Sequence, residues 1–212
     1  MKSFADMIAG YRNFRERAWS TERERWSELA EGQAPQVMVI ACSDSRVDPA
    51  QIFDAGPGEL FVVRNIAAMV PPFETTPGNH GVSAALEFAV QFLDVREIVV
   101  MGHGLCGGCK AALTKDLHGN EPGKGGFVAN WIAMLDGVRD PIAARLGTEG
   151  REAERAMEHA AVKVSLANLR TFPCVQEREA NGSLALHGAF FAISDGALHL
   201  LDEHGGEFHP AE

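Results

Sequence analysis

Two thiols and an imidazole, each placed just after or near the end of an apolar run, are the residues of this chain best equipped for chemistry. Cys42 follows directly on Val37-Met38-Val39-Ile40-Ala41, and His103 follows directly on Ile98-Val99-Val100-Met101-Gly102. Cys106 comes within one turn of chain, inside His103-Gly104-Leu105-Cys106-Gly107-Gly108-Cys109, whose glycines let the backbone bend so that His103 and Cys106 can face one point. A set of two cysteines and one histidine is a zinc site with one tetrahedral position left open, the arrangement of catalytic rather than structural zinc. Zinc can lower the pKa of water in that position from about 15.7 to roughly 7. Two thiolates donate charge and blunt the effect, so a somewhat higher value is expected here.

Around the first ligand, Ala41-Cys42-Ser43-Asp44-Ser45-Arg46 places a carboxylate and a guanidinium two and four residues on. Asp44 can accept a hydrogen bond from the metal's water, and Arg46 can pair with Asp44 in a bidentate fork that keeps it ionised. Taken without Cys42, the same two residues would be an ordinary surface ion pair. Cys106 and Cys109 alone fit the spacing of a redox pair; the preceding His103 and the distant Cys42 favour the metal. Cys109 and Cys174 are then small buried residues. Arg64 and Asn65 read as structural hydrogen-bonding residues at a strand end, and the remaining histidines, His118 among them, as surface or satisfied-core residues.

These side chains need elements to position them. The apolar runs at 37–41, 60–64 and 98–102 are short and rich in β-branched residues, as expected of parallel strands covered on both faces. A helical pattern from Gly81 to Phe92 lies between the last two, so strand, helix and strand point to right-handed crossovers in an α/β fold. Further helices are expected at 108–118, 127–137 and 150–170, the last with Ala153, Met157, Ala160, Val164 and Ala167 on one side. A hairpin of 184–194 with 197–201 is expected through Asp195-Gly196, and 119–126 reads as a loop. From Phe4 to about Ala30, Phe4, Met7, Ile8, Tyr11 and Phe14 keep helical spacing among charged neighbours. The expected fold is a central, mainly parallel β-sheet flanked by helices, with a protruding N-terminal helical arm. It forms a single domain over 1–212, with the arm at 1–33 and the core at 34–212. In open sheets of this kind ligands bind at the carboxyl ends of the strands, where Cys42 and His103 emerge.

The chain resembles the β-class carbonic anhydrases along nearly its whole length. Cys42-Ser43-Asp44-Ser45-Arg46-Val47, the stretch 57–67, His103 to Gly108 and the stretch 187–196 match that family's pattern in order. The resemblance implies zinc, one ion per chain, on Cys42, His103 and Cys106, with Asp44 and Arg46 as the catalytic dyad. It implies reversible hydration of carbon dioxide to bicarbonate and a proton, by attack of zinc-bound hydroxide. Within the family the sequence is similar to the plant-type branch. That branch's substrate-pocket residues fall on Gln33, Phe61, Ile66, Phe88 and Gly107, with Phe88 standing where tyrosine is usual. A bicarbonate-regulated branch carries tryptophan where this chain has Val39 and tyrosine where it has Phe191, so no regulatory bicarbonate site is expected. The N-terminal helix is implied to reach across a homodimer or a dimer of dimers.

Composition narrows the alternatives. A chain of 212 residues with 46% hydrophobic content has an ample core, and a net charge of −10 with interleaved signs offers no basic surface for nucleic acid. The N-terminus lacks the apolar core of a secretory signal, and no run approaches the roughly 18 apolar residues of a membrane span. A cytoplasmic protein is therefore expected, and four cysteines are too few for a disulfide scaffold. Two rival functions remain open: the same chemistry on carbon disulfide or carbonyl sulfide, and a noncatalytic zinc module. The second leaves Asp44, Arg46 and Gln33 without a purpose.

Overall fold

The computed structural model describes residues 2–116 and 121–211, so His118 and the start of the 119–126 loop lie outside it. The chain divides into two compact units, Met1–Ala34 and Pro35–Glu212.

The N-terminal unit holds α1 (Phe4–Glu16), α2 (Ala18–Thr21) and α3 (Arg23–Glu31). Ser3 and Asp6 close a reciprocal capping box at the start of α1. The single helix expected from Phe4 to Ala30 is interrupted at Arg17 (φ −106°, ψ −83°). There the hydroxyls of Ser20 and Thr21 donate to the carbonyls of Glu16 and Arg17, at 2.7 and 2.8 Å, and such bonds compete with the helical ladder. Phe14 meets Trp26 edge-on with ring centroids 5.6 Å apart. The outer stripe is uncovered: Phe4, Met7 and Tyr11 are 76%, 61% and 53% exposed.

The second unit is built on a six-stranded sheet in the order β2-β1-β3-β4-β5-β6. Its strands are β1 (Val37–Cys42), β2 (Leu60–Asn65), β3 (Glu97–His103), β4 (Ala185–Ala192), β5 (Ala197–Asp202) and β6 (Glu207–Pro210). The first four run parallel and the last two pairings are antiparallel, which makes a mixed sheet. The hairpin expected at Asp195-Gly196 is present, with Gly196 at φ 72°. A second hairpin adds β6, which carries too short a pattern to stand out in sequence.

Helices α4 (Pro49–Ile52), α5 (Gly81–Glu87), α6 (Gly107–Thr114), α7 (Gly126–Ile132), α8 (Asp136–Leu146), α9 (Arg151–Leu169) and α10 (Pro173–Ala180) complete the unit. The helix expected through Phe92 ends as α at Glu87 and continues as one π turn over Phe88–Phe92. The expected 108–118 helix ends at Thr114 because Lys115 turns left-handed at φ 58°. On α9 the buried face carries Met157, Glu158, Ala161, Val162, Ser165, Leu166 and Leu169, whereas Ala167 of the expected stripe is exposed. The face was misplaced because two of its buried members, Glu158 and Ser165, are polar.

α9 crosses β3 and β4 at close range, and the strands meet it with glycine. A Cβ on Gly188 would lie 2.9 Å from Leu201 Cβ and 3.1 Å from Leu166 Cδ1. Gly188→Ala is therefore expected to overpack this layer and lower stability by about 1–3 kcal/mol. A urea midpoint that falls with an unchanged slope would show it; an unchanged midpoint would mean that the strand and helix yield freely.

Candidate metal centre

The pairing of β1 with β3 brings the ligands together. The two strands run parallel with Val37 opposite Glu97 and Ala41 opposite Met101, so Cys42 and His103 leave the sheet at the same edge. Cys106 then caps the start of α6 (φ −73°, ψ 115°). One ligand atom from each of Cys42, His103 and Cys106 lies within 4.8 Å of the others, and all three residues are buried.

The imidazole is oriented for a metal. His103 donates from Nδ1 to the Gly104 carbonyl at 2.9 Å, which leaves the lone pair on Nε2. That Nε2 is buried and has no hydrogen-bond partner among the described residues. An orphaned buried nitrogen beside two buried sulfurs is costly unless a cation fills the gap. The thiols agree. Cys42 is pushed up to about 12, first by its hydrogen bonding with Cys106 and then by burial. Cys106 is also pushed up to about 12, chiefly by its hydrogen bonding with Cys109. Neither thiol would ionise near neutrality without a metal. Two soft sulfurs and an imidazole are the donor set that suits zinc.

Asp44 and Arg46 sit in the loop after β1. Arg46 donates from Nε to Asp44 Oδ1 at 2.9 Å and from Nη2 to Oδ2 at 2.7 Å, the expected fork. The same Nη2 donates to the Leu105 carbonyl at 3.1 Å, which ties the dyad to the loop between His103 and Cys106. The Arg46 hydrogen bonds hold the Asp44 carboxyl well below the usual carboxylate range. Arg64 shapes this loop from β2, donating to the carbonyls of Cys42 at 2.9 Å and Asp44 at 2.6 Å. Asn65 clamps Met69 at both its N–H and its carbonyl, each at 2.8 Å. Both therefore hold backbone at the strand end, as read from the sequence.

The expected pocket residues divide. Ile66 abuts the metal loop: a Cβ on Gly108 would lie 2.8 Å from its Cγ2. Gly107 opens α6 with free space beside it. Phe61 pairs with Met38, four residues before Cys42, which is roughly 13 Å along a strand. Its ring centroid lies 6.0 Å from that of Phe88, which stacks on Phe92 at 5.6 Å. Gln33 belongs to the N-terminal unit. His80 has both ring nitrogens engaged, by the Thr76 carbonyl at 2.8 Å and Glu74 at 3.2 Å. Cys109 is buried, and Cys174 packs against the core.

Sequence reading missed Glu158. Its side chain is 1% exposed, and its Oε1 accepts from the Cys106 N–H at 3.2 Å. The signal was present in the helical period, since Ala161, Val162 and Ser165 share its buried face.

This fold is that of a known protein family. The family profile for carbonic anhydrase matches residues 37–198, and the chain belongs to the β-carbonic anhydrase family. The chloroplastic β carbonic anhydrase 5 of Arabidopsis thaliana is 35% identical over 193 residues, 91% of this chain. This chain covers 62% of that relative's length, less than two thirds. β Carbonic anhydrase 3 of Arabidopsis thaliana is 36% identical over 195 residues, 92% of this chain and 75% of that protein. Among solved structures, the β-carbonic anhydrase CcaA superposes with a TM-score of 0.90 at 31% identity, covering 98% of this chain and 99% of that one. One of the tetrameric β-carbonic anhydrases of Sordaria macrospora superposes with a TM-score of 0.82 at 31% identity, over 94% and 96% of the two chains.

Two outcomes follow from the electrostatics. Because both ligand thiols are protonated without a metal, zinc uptake near pH 7 is expected to release close to two protons per ion. Calorimetry in buffers of different ionisation enthalpy measures this, and release of none would contradict the ligand set. For Asp44 the folded pKa is depressed. Its pairing with Arg46 therefore stabilises the fold fully above the ordinary carboxylate range and stops doing so as pH falls through the depressed value. Arg46→Ala should move the Asp44 carboxyl titration, followed by carbon NMR, upward towards that ordinary range.

Proposed function

We propose that this protein catalyses the reversible hydration of carbon dioxide to bicarbonate and a proton, with one zinc ion per chain held by Cys42, His103 and Cys106. The observation that carries the reading is the convergence of three buried donor atoms at the carboxyl edge of the sheet, beside a carboxylate kept ionised by a bidentate arginine. Zinc held by two thiolates and one imidazole supplies a Lewis acid with a coordination place for solvent, which brings the ionisation of water towards neutral pH.

The chain's own groups do the rest. Asp44 is ionised, so it would accept a hydrogen bond from an O–H donor at the site and has no proton of its own to give. That fixes which lone pair of the oxygen is presented to the substrate. Arg46 holds Asp44 in place and, through the Leu105 carbonyl, keeps it in register with the metal loop. Ile66 supplies an apolar wall beside the loop, and Gly107 leaves its approach open, which suits a small linear substrate without charge.

Phe61 lies too far back along β2 to wall the site of its own chain, and Phe88, in the turn after α5, has its ring 6.0 Å from that of Phe61, so their pocket role is assigned to a neighbouring copy. A homodimer, or a dimer of dimers, is the assembly this implies. The exposed apolar residues Val62 (39%), Phe88 (43%) and Phe92 (70%) support it, as does the uncovered stripe of α1. The tetrameric enzymes of Sordaria macrospora show that such assemblies occur among similar folds.

Two substitutions test the assignment. Cys42→Ser is expected to abolish stoichiometric zinc and hydration activity together, whereas Asp44→Ala should keep most of the zinc and lose most of the turnover. Stopped-flow hydration across pH, with metal analysis of the same samples, reads both. Full activity in either variant would overturn the role given to that residue.

A further inference from the structure

The loop that carries two of the three ligands is held in a conformation it would not choose by itself. Leu105, between His103 and Cys106, sits at φ 61°, a left-handed backbone that is unfavourable for a residue with a Cβ. Its side chain is no compensation, being 45% exposed. Three fastenings oppose the strain, each from a different element. The Gly104 N–H donates to the Phe191 carbonyl at 2.9 Å, extending the ladder between β3 and β4. The Leu105 carbonyl accepts from Arg46 at 3.1 Å. From below, α9 offers Glu158, whose Oε1 accepts the Cys106 N–H at 3.2 Å, with the Leu105 N–H also turned to it.

Glu158 is an unusual residue to spend there. It is 2% exposed as a whole residue, and its Oε2 has no hydrogen-bond partner among the described residues. Its ion pairs are long, 3.6 Å to Arg151 and 3.5 Å to Arg155. A carboxylate so poorly repaid costs stability relative to an apolar residue of similar size. A purely structural helix position would be better served by leucine or methionine. The acceptor facing the metal loop is what an apolar side chain could not replace.

We propose that Glu158 is a positioning residue for the metal centre: it fixes the backbone of Cys106, and so the direction of its thiolate, by accepting that residue's N–H from the buried face of α9. The inference rests on the metal-centre reading above. It separates two properties of the side chain, the acceptor at a set reach and the charge. Glu158→Gln keeps the reach and an acceptor oxygen while losing the charge. Glu158→Asp keeps the charge but draws the carboxylate back by one methylene.

The two variants and the wild type are compared as full-length protein by three measurements: zinc affinity against a competing chelator, the visible spectrum after cobalt(II) substitution, and thermal midpoint. Glu158→Gln is expected to hold zinc within about threefold of wild type with an unchanged cobalt spectrum, whatever its thermal midpoint does. Glu158→Asp is expected to bind zinc about 10–100-fold more weakly, as removal of a supporting contact does at metal sites, with altered thiolate bands. A role confined to packing would lower thermal midpoints and leave affinity and spectrum untouched; that result overturns the proposal. So does the reverse order, with Asp holding zinc and Gln losing it. If Glu158→Asp does not fold, Glu158→Gln decides alone: a loss of tenfold or more overturns the proposal. Wild-type protein that takes up no zinc would overturn the metal-centre reading and this inference with it.

Discussion

The parallel hydrogen-bond ladder between β1 and β3 is the constraint on which the site depends. Its register, Val37 with Glu97 through Ala41 with Met101, is set by apolar side chains buried on both faces of the sheet. A slip of one residue would move His103 by about 3.3 Å relative to Cys42 and turn its side chain to the opposite face. A ligand triangle no wider than 4.8 Å would not survive that. The hydrophobic pattern of two short strands therefore does more than fill a core. It decides whether two side chains far apart in sequence share one ion.

Past the ends of the strands the ladder no longer helps, and the chain relies on side chains that bond to backbone. Arg64 gathers the carbonyls of Cys42, Asp44 and Val47, so one guanidinium folds the loop carrying the dyad. Ser165 and Asn168 of α9 hold Ala68 and Val70. Ala67 and Ala68 have φ of 61° and 54°, and Leu105 has φ 61°. Such residues cost of order 1–3 kcal/mol each and persist only where the surroundings over-determine them. Here one strained position, Leu105, lies within the metal loop, and another, Ala67, backs the helix that follows it: a Cβ on Gly108 would lie 3.2 Å from Ala67 Cβ.

The convergence of Cys42, His103 and Cys106 and the pairing of Asp44 with Arg46 were legible in sequence because their signals are local or periodic. Strand-ending cysteine and histidine, and a carboxylate with arginine two residues on, announce themselves by type and spacing. The sheet's parallel half was legible for the same reason, as was the turn at Asp195 and Gly196. Glu158 was not, since its meaning lies in a contact across 52 positions and its charge made the helix face look polar there. The break at Arg17 escaped for a related reason: Ser20 and Thr21 are tolerable in a helix until their hydroxyls turn back on it. Phe61 shows another limit. A family pattern marks it as a pocket residue, but only the strand register shows that it pairs with Met38, four residues before Cys42.

The distribution of charge around the centre ties these pieces together. Two ligand thiolates would balance a divalent ion, so the inner site carries no net charge once filled. Of the two carboxylates that bear on it, Asp44 is matched closely by Arg46 at 2.7 Å, and Glu158 is met only loosely, by Arg151 at 3.6 Å and Arg155 at 3.5 Å. A centre neutral in this way has no field with which to hold an anion strongly. An uncharged molecule enters such a site without electrostatic penalty, and an anion is not drawn to it. In a chain of net charge −10 the surface adds a mild push outward for that anion.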